Sequence, residues 1–374
     1  MKIAIVSGEA SGDLHAAEVL RELKKIDPQL DAFGIGGDLL ASHGMRLLHH
    51  AREMGIVGFF NVLLHYRMFK RIFNDTVEAM ARERPDAVLL VDYPGFNLRL
   101  ARKCKEMGLR VVYYISPQLW AWRRGRVKQV AKYVDRMIVI FPFEEEFYRA
   151  HGVDATYVGH PIIEELRNVA PPPSAARSHL APPGAAAPHV PRIALLPGSR
   201  KAEVASLLPS MLGAVELLSR ERDVDAFVVQ APTIPRDVLD HYIKGKNVRI
   251  APHEEIATAD VALSSSGTAT LECAVLGTPV VVMYKLSRAN YLLGKAVVKI
   301  PHFSLVNIVA GKEVVPELIQ HNVNPKRIAE ETRNLLEPAN YARVVAELAT
   351  VRGKLGDAGA ARRAAEAVMS VIQR

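Results

Sequence analysis

Residues 264–272 (SSSGTATLE) place small hydroxyl side chains and a glycine directly after an apolar stretch, where a helical pattern begins. Ser, Gly and Thr at a helix start leave backbone N–H groups unpaired and let a phosphate approach closely. Glu272, about one turn into the helix, could accept hydrogen bonds from ribose hydroxyls. The run favours a diphosphate site over a Ser/Thr-rich helix cap that binds nothing.

An arginine in a similar position points to the same chemistry. Residues 193–196 (IALL) are followed by Pro197, Gly198, Ser199 and Arg200, and a helical pattern begins shortly afterwards. Ligands of open α/β sheets bind at the carboxyl ends of the strands, and the planar fork of a guanidinium suits a diphosphate. Arg200 is therefore predicted to bind the same phosphates; the alternative is a surface arginine that caps a turn.

A carboxylate occupies the corresponding position in the first half of the chain. Asp92 directly follows four apolar residues, 88–91 (VLLV). A carboxylate at the end of a central strand, with its pKa raised by partial burial, can act as a general base toward a hydroxyl group. The alternative is an aspartate whose side chain binds turn amides ahead of Pro94.

The first apolar stretch, residues 3–6 (IAIV), runs into a loop at residues 7–13 (SGEASGD). This loop resembles a dinucleotide-binding turn but lacks the GxGxxG spacing, and no acidic residue ends a clear second strand about 20 residues later. A dinucleotide-dependent dehydrogenase is therefore disfavoured. We expect a substrate-facing loop in which Ser11 or Asp13 caps the following helix.

Two series of short apolar runs, separated by helical patterns, must position these side chains. Continuous apolar strands that alternate with helices are typical of parallel sheets covered on both faces, so we predict two doubly wound α/β domains. Between the series, residues 171–191 are rich in Pro and Ala without periodicity, as in a linker. The predicted boundaries are 1–165, 166–191 for the linker, 192–340, and 341–374 for helices that pack on the first domain or on a partner subunit.

The composition is that of a globular protein with an anionic partner. The 374 residues are 49% hydrophobic and 24% charged, with a net charge of +8, which favours nucleic acid, a phosphorylated substrate or acidic lipid. Cys104 and Cys273 are far apart and favour a reduced protein. Asp223 and Asp225 have the DxD spacing of metal-dependent transferases, but they directly precede a strand. We predict no metal site.

Residues 58–73 form a helical pattern with a wide apolar face, and Arg67, Lys70 and Arg71 gather on the remaining face. Such a helix fits a membrane interface or a groove for acyl chains; the alternative is a domain helix with a buried stripe. No stretch approaches the roughly 20 apolar residues that span a bilayer. Trp120 and the cations from Arg123 onward would suit a phosphorylated lipid headgroup or a nucleic acid.

Motifs along nearly the whole chain resemble those of the lipid A disaccharide synthase family of glycosyltransferases. In the first half they are SGEASGD (7–13), MGIVGF (54–59), VDYPGFN (91–97), SPQLWAWRRGR (116–126), FPFE (141–144) and VGHP (158–161). In the second half they are LLPGSRKAEV (195–204), SSGTATLE (265–272) and SLVNIVAG (304–311). The Pro/Ala-rich linker is longer than the family needs and contains none of them.

The resemblance implies the GT-B fold, in which two Rossmann-like domains face a cleft. It also implies transfer of 2,3-diacylglucosamine from its UDP carrier to 2,3-diacylglucosamine 1-phosphate, which gives a β-1,6-linked disaccharide 1-phosphate and UDP. Inversion at the donor carbon requires in-line attack by the acceptor's 6-hydroxyl. Asp92 matches the family's catalytic carboxylate and Arg200 its essential arginine. The resemblance implies no metal or other cofactor.

Resemblance and local pattern together define the residues that we expect at the site. The UDP-sugar is expected to contact Gly198, Ser199, Arg200, Ser265, Ser266, Gly267, Thr268, Thr270, Glu272 and Asn307. The acceptor and its lipid are expected to contact Ser11, Gly12, Asp13, Phe59, Phe60, Arg67, Phe69, Lys70, Arg71, Trp120 and Arg123. The resemblance further implies a protein that is peripheral on the cytoplasmic face of a Gram-negative-type inner membrane. We expect a monomer or homodimer and no nucleic-acid partner.

Two other functions fit parts of the pattern. Another GT-B-type enzyme, such as a UDP-GlcNAc 2-epimerase or a transferase of unacylated sugars, would share the VGHP and SGTATLE-like motifs but would not need the apolar helix. A non-catalytic protein could use the positive surface and residues 120–126 to bind nucleic acid or an anionic membrane.

Overall fold

The computed structural model describes residues 1–54, 66–121, 124–167, 169, 189–286 and 301–373. The chain forms two compact units: the first comprises Met1–Pro161 and Leu355–Arg374, and the second comprises Ile162–Lys354. Each unit is built on one parallel sheet with helices between its strands. The prediction of two doubly wound α/β domains is therefore confirmed. Most of the Pro/Ala-rich stretch, at 170–188, lies outside the described residues.

Seven parallel strands form the sheet of the first unit. They are β1 (Lys2–Ser7), β2 (Asp31–Gly36), β3 (Arg46–His50), β4 (Ala87–Val91), β5 (Val111–Tyr114), β6 (Arg136–Val139) and β7 (Ala155–Tyr157). Their order in the sheet is β3-β2-β1-β4-β5-β6-β7. The order reverses between β1 and β4, where Ser7 pairs with Val91. Sheets of this kind bind ligands in the crevice at such a reversal, which here lies beside Asp92.

Within the described residues, six α-helices accompany these strands in the first part of the chain. They are α1 (Ala10–Ile26), α2 (Asp38–Ser42), α3 (Tyr66–Glu83), α4 (Pro94–Glu106), α5 (Val127–Tyr133) and α6 (Pro142–Arg149). Pro94 and Pro142 are the first residues of α4 and α6. Proline has no N–H group, but an N–H at this position would have no partner within the helix, so no hydrogen bond is lost. β1 and β4 are buried along nearly their whole length, as expected of strands covered on both faces.

Six parallel strands form the sheet of the second unit. They are β8 (Arg192–Leu196), β9 (Asp225–Val229), β10 (Arg249–Ala251), β11 (Val261–Ser265), β12 (Val280–Tyr284) and β13 (Glu317–Ile319). Their order is β10-β9-β8-β11-β12-β13. It reverses between β8 and β11, where Ser264 pairs with Leu196. The loops that follow these two strands therefore leave the sheet at neighbouring points of one edge.

The helices described in the second unit continue the numbering. They are α7 (Ile162–Glu165), α8 (Lys201–Ser219), α9 (Arg236–Ile243), α10 (Thr268–Leu276), α11 (Leu305–Ala310), α12 (Pro325–Leu336) and α13 (Pro338–Lys354). Within the described ranges, α8 alone is long and apolar enough, by length and composition, to cross a membrane. Eight of its 19 residues are buried, and it packs on α12. Its apolar composition is therefore that of a core helix.

The last helix, α14 (Ala360–Ile372), belongs to the first unit although it follows the second in sequence. It packs on α1 and against β4, β5 and β6. Nε of Arg363 donates to the carbonyl of Val158 (2.8 Å) and Nη2 donates to that of Asp357 (2.6 Å). The N–H of His160 donates to the carbonyl of Leu355 (2.8 Å). The segments that leave and re-enter this unit are therefore bonded to each other.

Candidate active site

The carboxyl end of β4 holds Asp92 in a strained backbone conformation. Asp92 and Tyr93 have φ values of 46° and 50°, so two consecutive residues other than glycine are left-handed. Such conformations cost on the order of 1–3 kcal/mol each and persist only where surrounding contacts enforce them. The Asp92 N–H donates to the carbonyl of Tyr114 (3.0 Å). The Asp92 carbonyl accepts from the hydroxyl of Tyr113 (2.6 Å) and from Nδ2 of Asn97 (2.8 Å).

The carboxyl group of Asp92 has a pKa suited to proton transfer. Burial raises this pKa to about 6; the negative charge of Glu9 adds to the rise, and a hydrogen bond from the backbone of Tyr93 opposes it. A carboxylate with this pKa is largely ionised at neutral pH and is basic enough to accept a proton from a hydroxyl in a transition state. The crevice of the first unit therefore contains a candidate general base.

Two residues of this crevice were not predicted to belong to the site. Glu9 is exposed at the N-terminus of α1. It could have been identified in the sequence by its position just after the apolar run of β1. Asn97 is fully buried, and its Nδ2 donates to the carbonyls of Val6 (3.4 Å) and Asp92. The side chain of Asn97 thus joins the carboxyl ends of β1 and β4. Asn97 could have been identified in the sequence as the last residue of the VDYPGFN motif.

The loop at residues 7–13 has an exposed part and a buried part. Ser11 is exposed, whereas Gly12 and Asp13 are buried. The carboxylate of Asp13 accepts from the N–H groups of Gly37 (2.6 Å) and Leu39 (3.1 Å). Asp13 lies inside α1, whose N-cap is Glu9, so the expectation that it caps this helix is wrong; its contact with the acceptor stays a prediction. Its charge is engaged by backbone amides at the start of α2, which it stabilises.

Trp120 lies in the interior of the first unit rather than on its surface. Its Nε1 donates to Oε1 of Glu144 (3.0 Å), which also accepts from Oγ of Ser116 (2.7 Å). Glu144 is buried, and its burial raises the pKa of this carboxyl to about 7. The buried indole and carboxyl support the loop after β5, and the contact of Trp120 with a lipid headgroup stays a prediction. Glu144 was missed, although it ends the FPFE motif.

The helix α3 carries those predicted membrane contacts that lie within the described residues. Arg67, Lys70 and Arg71 are exposed. Phe69 is half-buried and packs, together with Phe73, against the core of the first unit. This part of the apolar stripe is therefore that of a domain helix, while the three cations remain at the surface. The other predicted contacts in this group lie outside the described residues: Phe59, Phe60 and Arg123.

The turn after β8 places Arg200 beside the crevice of the second unit. Gly198 has a φ of 113°, and a Cβ there would lie 2.3 Å from Oε2 of Glu203, so the turn requires glycine. The Glu203 carboxylate accepts from the N–H of Ser199 (3.0 Å) and from Nη1 of Arg200 (2.9 Å). The Arg200 side chain is 80% exposed. Its guanidinium is thus oriented by Glu203 and accessible to a phosphate.

The N-terminus of α10 follows β11 and offers backbone N–H groups at the same edge. A Cβ on its N-cap, Gly267, would meet nothing within 4 Å, so the approach is open. Ser265 and Ser266 are half-buried, and Thr268 is exposed. Thr270 is buried, and its Oγ1 donates to the carbonyl of Gly267 (2.8 Å). The Thr270 hydroxyl therefore supports the first turn of α10, its contact with a UDP-sugar stays a prediction, and the N–H groups at this helix start are suited to a phosphate.

Tyr284, at the end of β12, lies within electrostatic reach of Glu203 and Arg200. Burial raises the pKa of its hydroxyl; the charge of Glu203 raises it further and that of Arg200 lowers it. The side chain stacks on Phe303, with ring centroids 6.3 Å apart. The charges of the β8 turn therefore act as far as the end of β12, past the start of α10. Tyr284 was not predicted to belong to the site.

Glu272 lies one turn into α10 with a side chain that is 20% exposed. Its Oε2 contacts Nε2 of His253 at 2.7 Å. His253 begins the 3-10 helix His253–Thr258, which follows β10. The hydrogen bond to Glu272 is the largest cause of a raised pKa for His253. The carboxylate predicted to face a ribose is thus held by an imidazole, which was not predicted.

Asn307 is buried in α11 and fully engaged within the fold. Its Oδ1 accepts from the N–H groups of Val314 (2.8 Å) and Val315 (3.0 Å). Its Nδ2 donates to Oε1 of Glu317 (2.8 Å). Its amide stabilises the segment that leads into β13, and its contact with the UDP-sugar stays a prediction.

No group of three or more His, Cys, Asp or Glu side chains that could hold a metal ion is found in the described parts of the chain. The DxD pair ends at Asp225, the first residue of β9. Its Oδ2 accepts from Nε of Arg192 (3.0 Å). This pair therefore lies at the edge of the sheet opposite to the loops described above.

The chain matches the family model described as lipid-A-disaccharide synthetase over residues 3–368. The lipid-A-disaccharide synthase of Myxococcus xanthus is 44% identical over 379 residues, which cover 99% of this chain and 97% of the relative. That of Syntrophus aciditrophicus is 42% identical over 380 residues, which cover 100% and 98%. Both similarities extend over the two units.

Solved structures with low sequence identity share the fold. MurG of Acinetobacter baumannii has a TM-score of 0.59 at 14% identity, over 100% of this chain and 99% of that one. A UDP-GlcNAc 2-epimerase of Neisseria meningitidis, bound to UDP-GlcNAc, has a TM-score of 0.60 at 13% identity, over 99% and 100%. Such similarity establishes the fold alone. Because the family model and the full-length relatives agree, the chain belongs to the lipid-A-disaccharide synthetase family of glycosyltransferases.

Proposed function

We propose that this protein transfers 2,3-diacylglucosamine from UDP-2,3-diacylglucosamine to 2,3-diacylglucosamine 1-phosphate. The products are the β-1,6-linked disaccharide 1-phosphate and UDP. The family relationship supports the choice of sugars. The observation that carries the chemistry is the position of Asp92, a carboxyl with a pKa near neutrality at the strand-order reversal of the first unit.

Asp92 acts on the acceptor. It takes the proton of the 6-hydroxyl while that oxygen forms a bond to C1 of the donor sugar, and the bond from C1 to the diphosphate breaks on the opposite side. The hydrogen bonds that Tyr113 and Asn97 donate to the Asp92 carbonyl, and the one that the Asp92 N–H donates to the Tyr114 carbonyl, fix the backbone that carries the carboxylate. A base that is held in position before the substrate binds needs little reorganisation during the reaction.

The second unit acts on the leaving group. Arg200 and the N–H groups at the start of α10 stabilise the negative charge that develops on the departing UDP. The bond from Arg200 to Glu203 (2.9 Å) orients the guanidinium in the absence of a phosphate. Glu272, in the same helix, accepts hydrogen bonds from the ribose.

A transfer assay with defined donors tests this proposal. The purified protein is incubated with the 1-phosphate acceptor and either UDP-2,3-diacylglucosamine or UDP-GlcNAc. Mass spectrometry identifies the transfer products, and proton NMR distinguishes UDP-GlcNAc from its 2-epimer, which has the same mass. We expect the disaccharide 1-phosphate and UDP from the diacylated donor alone. Equal turnover of UDP-GlcNAc would contradict the proposed substrate, and conversion of UDP-GlcNAc to its 2-epimer would identify an epimerase. Absence of both UDP release and epimer formation would contradict an enzymatic function.

The transfer rate is expected to depend on pH through Asp92. Because the base must be ionised, kcat/KM should rise with pH, reach half its maximum near the Asp92 pKa of about 6 and then level off. Below that value the rate should fall about tenfold per pH unit. The measurement is kcat/KM for the acceptor between pH 4.5 and pH 8.5 at constant ionic strength. A flat profile across this range would contradict the assignment of the base.

We infer that the protein is peripheral on the inner face of the inner membrane, and that α3 contacts the anionic surface. Arg67, Lys70 and Arg71 are exposed on one helix, and each cation near an anionic surface contributes about 1 kcal/mol. The diacylated substrates reside in a membrane, so an enzyme that acts on them benefits from being held there.

Removal of these three cations is expected to weaken vesicle binding. In the triple Gln variant of Arg67, Lys70 and Arg71, partition onto vesicles rich in anionic phospholipid should fall roughly 10–100-fold. The loss should shrink at 1 M salt, where the Debye length is about 3 Å. Co-sedimentation measures the effect. The matched control removes three exposed cations of the second unit, namely Lys326, Arg343 and Arg352; equal losses in both variants would contradict a specific role for α3.

A further inference from the structure

The contact between His253 and Glu272 joins two elements of the second unit. His253 stands at the start of the 3-10 helix that follows β10, and Glu272 stands one turn into α10. Nε2 of His253 and Oε2 of Glu272 are 2.7 Å apart, and both side chains are partly exposed, by 41% and 20%. Within the described ranges, no other residue donates a hydrogen bond to the second carboxylate oxygen, Oε1. This oxygen is therefore available to accept a hydrogen bond from a ligand.

The surroundings of His253 favour its cationic form. Its raised pKa is caused first by the hydrogen bond to Glu272 and is opposed by burial. The charges of Glu272, of Glu254 in the same 3-10 helix and of Glu165 in α7 raise it as well. A protonated imidazole that donates to an ionised carboxylate forms a charge-assisted hydrogen bond, which is shorter and roughly twice as strong as a neutral one. The imidazole therefore fixes the orientation of the Glu272 carboxylate.

We propose that His253 is a positioning residue that orients Glu272 toward the 2′- and 3′-hydroxyls of a uridine nucleotide. The inference rests on the proposed function, which supplies the nucleotide. A free glutamate side chain loses about 1.5–2 kcal/mol of rotamer entropy when it is ordered. Because His253 holds one oxygen, much of that ordering is complete before the nucleotide binds, and Oε1 remains as the acceptor for the ribose.

Orientation by His253 predicts selectivity for ribose over deoxyribose. A site built to accept a hydrogen bond from a substrate hydroxyl rejects an analogue that lacks it, because the acceptor is left unpaired. The selectivity should depend on His253 even though His253 does not touch the sugar. A direct contact of His253 with the diphosphate or the base would instead affect the ribonucleotide and the deoxyribonucleotide equally.

Isothermal titration calorimetry with UDP and 2′-deoxy-UDP tests the proposal. For the wild-type protein we expect UDP to bind about 10–100-fold more tightly than 2′-deoxy-UDP, as for a hydrogen bond to a charged group. In His253→Ala this ratio should fall to within about threefold, and in His253→Gln, whose amide can still donate to Glu272, it should largely recover. Glu272→Ala should lose the selectivity, and adding His253→Ala to it should change nothing further.

The ratio of the two affinities should also depend on pH. It should decrease in part as the pH rises through the pKa of His253, because a neutral imidazole can still donate to Glu272 but without the assistance of its charge. Ionisation of the phosphate and of uracil affects both ligands alike and cancels in the ratio. The matched control is His49→Ala, which breaks a comparable contact in the first unit, from Nε2 to Oδ2 of Asp75 (3.0 Å), and should leave the ratio unchanged.

Three outcomes would overturn the proposal. His253→Ala could lower the affinity for UDP and for 2′-deoxy-UDP equally, or it could leave both affinities unchanged. The third outcome is that the wild-type protein binds the two nucleotides equally well. Binding of UDP without transfer in the assay described above would contradict the proposed function and leave this test intact. Failure of the wild-type protein to bind UDP at all would contradict both.

Discussion

Asp92→Asn is expected to abolish transfer, with kcat lower by about 10²–10⁴-fold, the usual contribution of a general base. The amide of asparagine has nearly the shape of the carboxylate but cannot accept the proton. Asparagine also tolerates the left-handed conformation at φ 46° better than most residues. The backbone at the end of β4 should therefore be preserved. The measurement is kcat with saturating donor and acceptor.

The same substitution is expected to keep or increase stability at pH 8, which separates loss of the base from loss of the fold. The folded-state pKa of about 6 lies above the ordinary value of 3.8. Since the folded protein holds this proton more tightly than the unfolded chain does, stability falls as the pH rises from about 4 to about 6. At pH 8 the ionised carboxyl costs about 1–3 kcal/mol, and Asn removes that cost.

Thermal unfolding and a second aspartate provide the controls for Asp92→Asn. Asp86 lies directly before β4, and its Oδ2 accepts from the N–H of Lys2 (2.8 Å); Asp86→Asn should leave kcat unchanged. Retention of more than about a tenth of the wild-type kcat by Asp92→Asn, with normal unfolding, would show that Asp92 is not the base.

Arg200→Ala is expected to lower kcat by about 10²–10³-fold, because Arg200 stabilises charge that develops only as UDP departs. Arg200→Lys should recover part of this loss, since an ammonium supplies the charge but not the planar fork. Unfolding temperatures should change little, because the side chain is 80% exposed and bonded only to Glu203 in the described structure. Steady-state kinetics with the diacylated donor measure both variants.

Arg333→Ala provides a matched control for Arg200→Ala. Arg333 also pairs with a carboxylate, Glu221, through Nη2 (2.8 Å), but it lies in α12, away from the carboxyl ends of β8 and β11. Its removal should leave kcat unchanged. If Arg200→Ala raised only the KM for the donor, Arg200 would bind UDP equally in the ground and transition states, and its proposed role would be wrong.

The fold and the framework of the site could be predicted from local patterns, because strand ends are visible in sequence. Four apolar residues ahead of Asp92, and four ahead of the turn that carries Arg200, indicate central strands. The carboxyl ends of parallel strands share one edge of a sheet. The loops with the relevant residues could therefore be identified without knowing which strands are neighbours.

The roles of individual polar side chains could not be predicted, because their partners are distant in sequence. The carboxylate of Asp13 is engaged by Gly37 and the indole of Trp120 by Glu144. Both side chains lie in motifs whose residue types suggest a binding site. Their hydrogen-bond partners are distant in sequence and come close only when the chain folds. The same reasoning explains why His253 was missed, since nothing near residue 253 indicates a glutamate in α10.

The position of α14 has a consequence for synthesis of the chain. The second unit is one continuous segment, Ile162–Lys354, and can be completed as soon as that segment has left the ribosome. The first unit needs α14, whose Ala365 and Val368 are buried, so the part of its sheet beneath α14, at β4, β5 and β6, stays uncovered until that helix has been made. The first unit is thus translated first but completed last. Until α14 has been synthesised, the apolar strands that it covers are exposed and prone to aggregation.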